Sequence, residues 1–367
     1  MPDKEIHIAF FVSYHGFGHA SRASAIMDAL WERNKNIIFD IVSDVPEWFF
    51  HDSLSASYNY FGFKVDVGFV QRDPFTIDME ATVRELKKFY PLRSQTVSHL
   101  KALLRNLGAV LVISDISPLG IAVSKEAGIT SCLVENFTWD WLYEPYVSDF
   151  EDLSSIINYL KGIFNMAGIH IQAEPVCEKK EADLSVYPVS RKAREQRDKI
   201  KNRLKLSSYN RIVLVTMGGV QGALMDIEPF KEQKEYGFVI CGISDKIRYC
   251  ENIVLLPQRS PFYHPDLVGA SDIVVGKAGY STISELYYAR IPFVYIARED
   301  FRESMTLISF IEKNMPALRI EEDELFSLNW LEKLKGMEDK RENTKINHPN
   351  GADQIAKYLI KRLSIYV

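Results

Sequence analysis

Two stretches of this 367-residue chain place chemically capable side chains at spacings that matter. The first is Ser13-Tyr14-His15-Gly16-Phe17-Gly18-His19-Ala20-Ser21-Arg22. It holds two imidazoles able to take a proton near neutral pH, and glycines that let a ligand approach the backbone closely. His15 or His19 could act as a general base there; either could instead cap the next helix or fill a crevice. The second stretch runs from Val274 through Lys277, Gly279, Ser281, Thr282 and Glu285 to Leu286. It reads as a buried strand, a glycine turn and a helix opening on small hydroxyl residues. A helix start offers unpaired N–H groups and the positive end of the helix dipole, so it can hold a phosphate without a metal. Lys277 adds a cation and Glu285 an acceptor for hydroxyls, which together suit a diphosphate attached to a ribose.

The elements that must position these groups alternate strand and helix. Apolar runs at 6–13, 37–43, 109–114 and 131–135 read as strands, with a helix pattern from residue 20 and another at 118–127. A helical tract spans 77–107, and Pro91 should interrupt it. Alternation restarts with strands at 211–216, 237–241, 253–256, 272–275 and 293–297, and 351–363 has helical spacing. The fold class is therefore α/β: two doubly wound, Rossmann-like domains facing a cleft. The boundaries read as 1–190 for an N-terminal domain, 191–207 for a linker, 208–345 for a C-terminal domain and 346–367 for a final helix. The eight Lys and Arg of 191–205 alternate with Glu195 and Asp198 as a solvated linker helix would.

Three further features bear on chemistry. Asp115 follows the apolar run 109–114, at the strand end where α/β sheets bind ligands; it could orient a histidine and raise its basicity, or Asp115 or Ser117 could cap the next helix. Gly218 and Gly219 lie in a glycine loop after the strand at 211–216, making either space for a diphosphate or a turn. Asn136, Trp139, Asp140 and Trp141 could bring aromatic rings against a sugar or an apolar acceptor, or serve packing between domains. No Asp-x-Asp occurs, so a metal-bridged diphosphate of that type is not indicated.

The string "LLPQRSPFYHPDLVGASDIVVGKAGYSTISELYYARIPFVYI" resembles the donor-binding region of GT-B glycosyltransferases, while "HGFGHASR" and "VTMGGVQGA" resemble their N-terminal and donor-domain glycine loops. A closer resemblance, on "SYHGFGHASR", "VISDISPLGIAVSKEAGITSCLVENFTWDWLYEPYV" and "VVGKAGYSTISELYYARIPFVYIARED", is to the glycosyltransferase-like N-terminal half of plant L-arabinokinase. The kinase half has no counterpart here, so sugar phosphorylation is not expected. The resemblance implies that His19 deprotonates the acceptor hydroxyl and that Asp115 orients it. It places the diphosphate at Gly279, Ser281 and Thr282, with Lys277 standing where plant members have a histidine. It puts Glu285 on the ribose, Gln258 beside the base, and Gly218 and Gly219 in the donor loop. It also makes 1–190 the acceptor-side domain and 208–345 the donor domain, with the helix of 346–367 crossing back to the N-domain. Cleft positions on the acceptor side would be His15, Gly16, Gly18, Asn136, Trp139 and Asp140. His15 has no assured counterpart, so which histidine is the base stays open.

A net charge of −5 gives no reason to expect a nucleic-acid partner. The apolar segment at 6–13 is too short to span a membrane, though peripheral membrane contact stays open. Four scattered cysteines indicate neither zinc nor a disulfide framework, and a cytoplasmic protein is expected. The expected activity is inverting, metal-independent transfer from a nucleotide-diphosphate sugar, a UDP-sugar first of all, with no other cofactor. Two alternatives remain: a non-catalytic nucleotide-sugar sensor and a sugar-nucleotide epimerase. Acceptor specificity would lie in the loops 63–75 and 136–146.

Overall fold

The structure, a computed structural model, describes residues 5–72, 76–216, 227–298, 300–334 and 346–363. The chain divides into two compact units, one formed by 1–71, 77–190 and 349–367, the other by 72–76 and 191–348.

In the first unit the apolar runs become strands β1 (Ile6–Val12), β2 (Ile37–Ser43), β3 (Tyr58–Gly62), β4 (Leu111–Asp115), β5 (Thr130–Glu135), β6 (Ile169–Ala173) and β7 (Leu184–Val186). Every pairing is parallel, in the order β3-β2-β1-β4-β5-β6-β7. The chain winds outward from β1 and then returns to build the other half from β4. The order reverses between these two strands, where Val12 registers with Asp115. The helix after β1, Gly18–Arg33, starts two residues before the apolar spacing indicated, which brings His19 into its first turn. The 77–107 tract is two helices, Met79–Phe89 and Ser94–Leu107, interrupted around Pro91, whose ring carries no N–H to continue the ladder. Apolar clusters cover both sheet faces. The final helix, Gly351–Leu363, belongs to this unit: Ile355, Ala356 and Leu359 are fully buried in the cluster that holds Ile26, Met27 and Leu30 of the first helix.

The second unit repeats the plan with β8 (Arg211–Thr216), β9 (Tyr236–Cys241), β10 (Arg248–Cys250), β11 (Ile253–Leu256), β12 (Ile273–Lys277), β13 (Phe293–Ile296) and β14 (Ala317–Ile320). Their order is β10-β11-β9-β8-β12-β13-β14; β10 runs antiparallel to β11 and the other pairs are parallel. Here the reversal falls between β8 and β12. The stretch read as a solvated linker is helical only at Arg197–Arg203, and it is not solvated throughout. Ile200, Leu204 and Leu206 enter the core of this unit, and Arg197 meets Asp272 through both carboxylate oxygens at 2.8 and 2.7 Å. Its apolar positions fall on one side between the charges, and that side packs.

The two glycines bracketing Lys277 have different reasons to be there. Gly276 pairs with Thr216 across β12 and β8, and a Cβ on it would lie 2.0 Å from the Thr216 carbonyl oxygen. Gly279 has φ −138° and ψ 146°, open to any residue, and a Cβ there would meet nothing within 4 Å. Gly276→Ala should therefore lower unfolding stability by about 1–3 kcal/mol, while Gly279→Ala stays within about 0.5 kcal/mol of wild type. Urea midpoints check this, and equal midpoints for the two variants would refute the distinction.

Candidate functional site

At the reversal in the first sheet, β4 ends on Asp115, whose carboxylate is 1% exposed. His19 and Arg22 stand three residues apart on the helix after β1, so one helical face presents both to it. His19 Nδ1 lies 2.7 Å from Asp115 Oδ1. Arg22 closes on the same carboxylate, Nε to Oδ2 at 2.8 Å and one terminal nitrogen to Oδ1 at 2.6 Å. Burial pushes the Asp115 pKa up, but the charge and hydrogen bonds of Arg22, joined by His19, outweigh it and hold the group below the ordinary carboxylate value. An anionic carboxylate only accepts hydrogen bonds, so His19 Nδ1 carries the proton and Nε2 presents its lone pair. That is the tautomer a general base needs. The capping alternative for Asp115 goes to Ser117, whose hydroxyl accepts from Gly120 N at 3.4 Å. Arg22 was absent from the sequence-derived site; its spacing from His19 was the available signal.

His15 is held differently. Its Nε2 meets the Gln71 side-chain nitrogen at 3.2 Å, and its ring stands edge-on to Trp139 with centroids 5.7 Å apart. Gly16, at φ 74°, turns the chain between His15 and the helix that opens at Gly18.

The residues expected to face an acceptor at 136–140 point inward instead. Trp139 is fully buried; its indole N–H donates to Asp66 Oδ2 at 3.0 Å and its ring stacks on Tyr143. Neither ring face is open to a sugar. Asn136 is consumed by Arg22, which donates to its Oδ1, and by the carbonyls of Ala173 and Pro175. Asp140 is buried as well, and burial raises its pKa. The short helix Trp139–Tyr143 packs against the 65–69 segment because Asp66 supplies the indole with an acceptor. Phe49, Phe50 and Phe69 are likewise buried.

In the second unit, β12 delivers Lys277 to the sheet edge, and Gly279 precedes the helix Tyr280–Ala289. No side chain among the described residues caps that helix, and Ser281 and Thr282 stand in its opening turn, where the amides lack intrahelical acceptors. Lys277 has no hydrogen-bond or ion-pair partner among the described residues. Burial, and secondarily the Arg298 charge, push its pKa down to about 7. Gln258 is exposed two residues beyond β11. Gly218 and Gly219 lie outside the described residues.

Glu285, expected on the ribose, is engaged within its own unit. Arg191 Nε and one terminal nitrogen reach its Oε1 at 3.0 and 2.9 Å, and His264 Nδ1 donates to Oε2 at 2.7 Å. Burial acts to raise its pKa, yet Arg191 and His264 together hold it low. Arg191, counted above among solvated charges, is 6% exposed.

L-arabinokinase of Arabidopsis thaliana is 26% identical over 314 residues, which are 84% of this chain and 30% of that protein. This chain thus spans less than a third of its relative's length. No protein-family model matches the chain. Among solved structures, a UDP-glucosyltransferase from Polygonum tinctorium capable of glucosylating indoxyl aligns with a TM-score of 0.62 at 12% identity, over 98% of this chain and 99% of its own. UGT2 of Phytolacca americana, solved with UDP-2fluoro-glucose and pterostilbene, gives 0.61 at 12% identity over 98% and 100%. The fold is that of the GT-B glycosyltransferases.

Asp66 provides a test of how the first-unit site is braced. Burial pushes its pKa up to about 7 against the hydrogen bonds from Trp139 and Ser13. A carboxyl raised in the folded state contributes fully below its unfolded pKa of about 4, and that contribution is lost as pH rises through 7. Asp66→Asn should therefore gain stability relative to wild type between pH 4 and 7, by on the order of 4 kcal/mol. Parallel pH profiles of the two proteins in urea would contradict this.

Proposed function

We propose that the protein is an inverting, metal-independent glycosyltransferase that moves a sugar from a nucleotide-diphosphate donor, a UDP-sugar, to an acceptor hydroxyl. One observation carries the reading: among the described residues, a helix start with no side-chain cap, a half-buried lysine with no hydrogen-bond or ion-pair partner and a glycine that the backbone does not require stand together at the strand reversal of the second sheet. That assembly supplies positive charge and open space for a diphosphate. His19 is the base. Its Nε2 takes the proton of the acceptor hydroxyl as the oxygen attacks the anomeric carbon; the bond from that carbon to the diphosphate breaks, and the electron pair leaves with UDP. Asp115 keeps the ring in the productive tautomer and offsets the imidazolium that forms, and Arg22 keeps Asp115 anionic. Lys277 and the amides of the Tyr280–Ala289 helix stabilise the charge that grows on the leaving diphosphate. Four scattered cysteines with no C-x-x-C spacing suit a reducing compartment, and we place the activity in the cytoplasm. No helix among the described residues is long and apolar enough to cross a membrane.

The donor class is set by a thermal-shift screen against UDP-, GDP-, dTDP- and ADP-sugars, in which UDP-sugars should stabilise most. With the donor in hand, His19→Ala should keep donor affinity and lose transfer by about 100-fold or more; undiminished transfer would remove His19 as the base.

Lys277 gives the donor site a pH signature. An anion favours the charged ammonium, so donor binding draws a proton onto Lys277. Affinity should weaken as pH rises through 7, by up to about tenfold per pH unit above it. Calorimetric titration of a UDP-sugar from pH 6.5 to 8.5 should show this decline, and Lys277→Met should bind weakly with no such slope. A flat wild-type profile would discard Lys277 as the phosphate cation.

A further inference from the structure

Past β13 the backbone runs alongside the opening of the Tyr280–Ala289 helix. β12 and β13 are parallel, Lys277 registers with Ile296, and Ala278 N donates to the Ile296 carbonyl at 3.0 Å. Arg298, two residues beyond Ile296, is therefore carried to the level of Gly279 and Tyr280. Its side chain is 10% exposed and lies over the Phe301 ring at 3.8 Å. It meets Glu303 through a single contact, a terminal nitrogen to Oε1 at 3.0 Å. The geometry leaves two buried polar atoms unused: Arg298 Nε and Glu303 Oε2 have no hydrogen-bond partner among the described residues. A guanidinium and a carboxylate can pair through two parallel bonds, and here they do so through one. A buried donor left unmade costs free energy unless something else comes to fill it.

We propose that Arg298 is a second cation for the donor's diphosphate, held in reserve by Glu303 and turned onto a phosphate oxygen through its free Nε when the anion arrives. Two positive side chains then flank the helix start, Lys277 from β12 and Arg298 from the segment after β13. The partial pairing with Glu303 serves a purpose. With no anion bound, the Arg298 charge adds to burial in lowering the Lys277 pKa, and the Glu303 carboxylate works against that effect. With the anion bound, each cation has a negative partner. Arg298 went unnoticed in the sequence because it falls after the recognisable strand, where an arginine reads as a surface charge.

This inference rests on the donor reading of the same site, but inorganic pyrophosphate tests it separately. Calorimetry with pyrophosphate, UDP and uridine should show Arg298→Gln weakening pyrophosphate and UDP by about tenfold or more, with uridine affinity unchanged. Glu303→Gln, which removes the competing carboxylate and keeps the arginine, should tighten pyrophosphate several-fold. The second variant decides the matter if the first fails to fold. Wild-type pyrophosphate affinity in Arg298→Gln overturns the proposal, as does an equal loss for uridine, or a Glu303→Gln protein that binds no tighter than wild type. If pyrophosphate binding depends on Arg298 while no sugar is ever transferred, transfer is the reading that fails and the anion site stands. If transfer is intact and Arg298→Gln binds normally, the reverse holds. A wild-type protein that binds neither pyrophosphate nor UDP removes both.

Discussion

Parallel strands deliver their C-terminal ends to one edge of the sheet, and the rest of this structure depends on that constraint. Where the strand order reverses, the helices on either side leave in opposite directions and a gap opens at that edge. In the first sheet the reversal lies between β1 and β4. It brings His19 and Asp115, 96 residues apart in the chain, to 2.7 Å. In the second it lies between β8 and β12, where the last residue of β12 is Lys277 and Gly279 follows in the turn. Neither location was chosen by the side chains themselves. The topology makes the place, and the sequence furnishes it.

The buried charges sort according to their partners. Asp115 and Glu285 each face an arginine and a histidine, and each is held below the ordinary carboxylate value despite burial. Asp66 has only the neutral donors of Ser13 and Trp139, and burial lifts it to about 7. Lys277 has no partner among the described residues, and burial lowers it to about 7 as well. The first two groups are complete within the fold. Lys277 is incomplete, and a buried cation that a fold leaves incomplete is explained by a ligand more readily than by stability, since burying an unpaired charge is costly.

Much of this was legible in the residues. Central strands such as β1, β4 and β8 are continuous apolar runs, and a strand buried on both faces can be little else. The outer strands were not legible: β3, Tyr-Asn-Tyr-Phe-Gly, has no buried residue, and β7 and β10 are three residues long. In the site, Asp115 could be read because it ends a strand and His19 because it opens the helix after one, both local properties. The fate of 136–140 could not, because Trp139 is turned inward by an acceptor 73 residues away. Arg191 misled for the same reason: it lies in a run of charges and becomes interior only through Glu285, 94 residues on. Patterns along the chain show which face is apolar; they do not show which polar group will meet a distant partner.

The choice between a working transferase and a module that only binds nucleotide sugars turns on the first unit, not the second. A diphosphate site serves both readings equally, and the likeness to transferases at 12% identity establishes architecture alone. The arrangement of Arg22, Asp115 and His19 is less neutral. A buried arginine–carboxylate pair adds little net stability, because desolvation offsets most of the attraction, and a binding-only module could fill the same space with apolar side chains at no loss. What the pair does accomplish is specific: it pins an anionic oxygen against one nitrogen of an imidazole and so commits the other nitrogen to accept a proton. Binding a nucleotide sugar has no use for that commitment, whereas removing a proton from an attacking hydroxyl requires it.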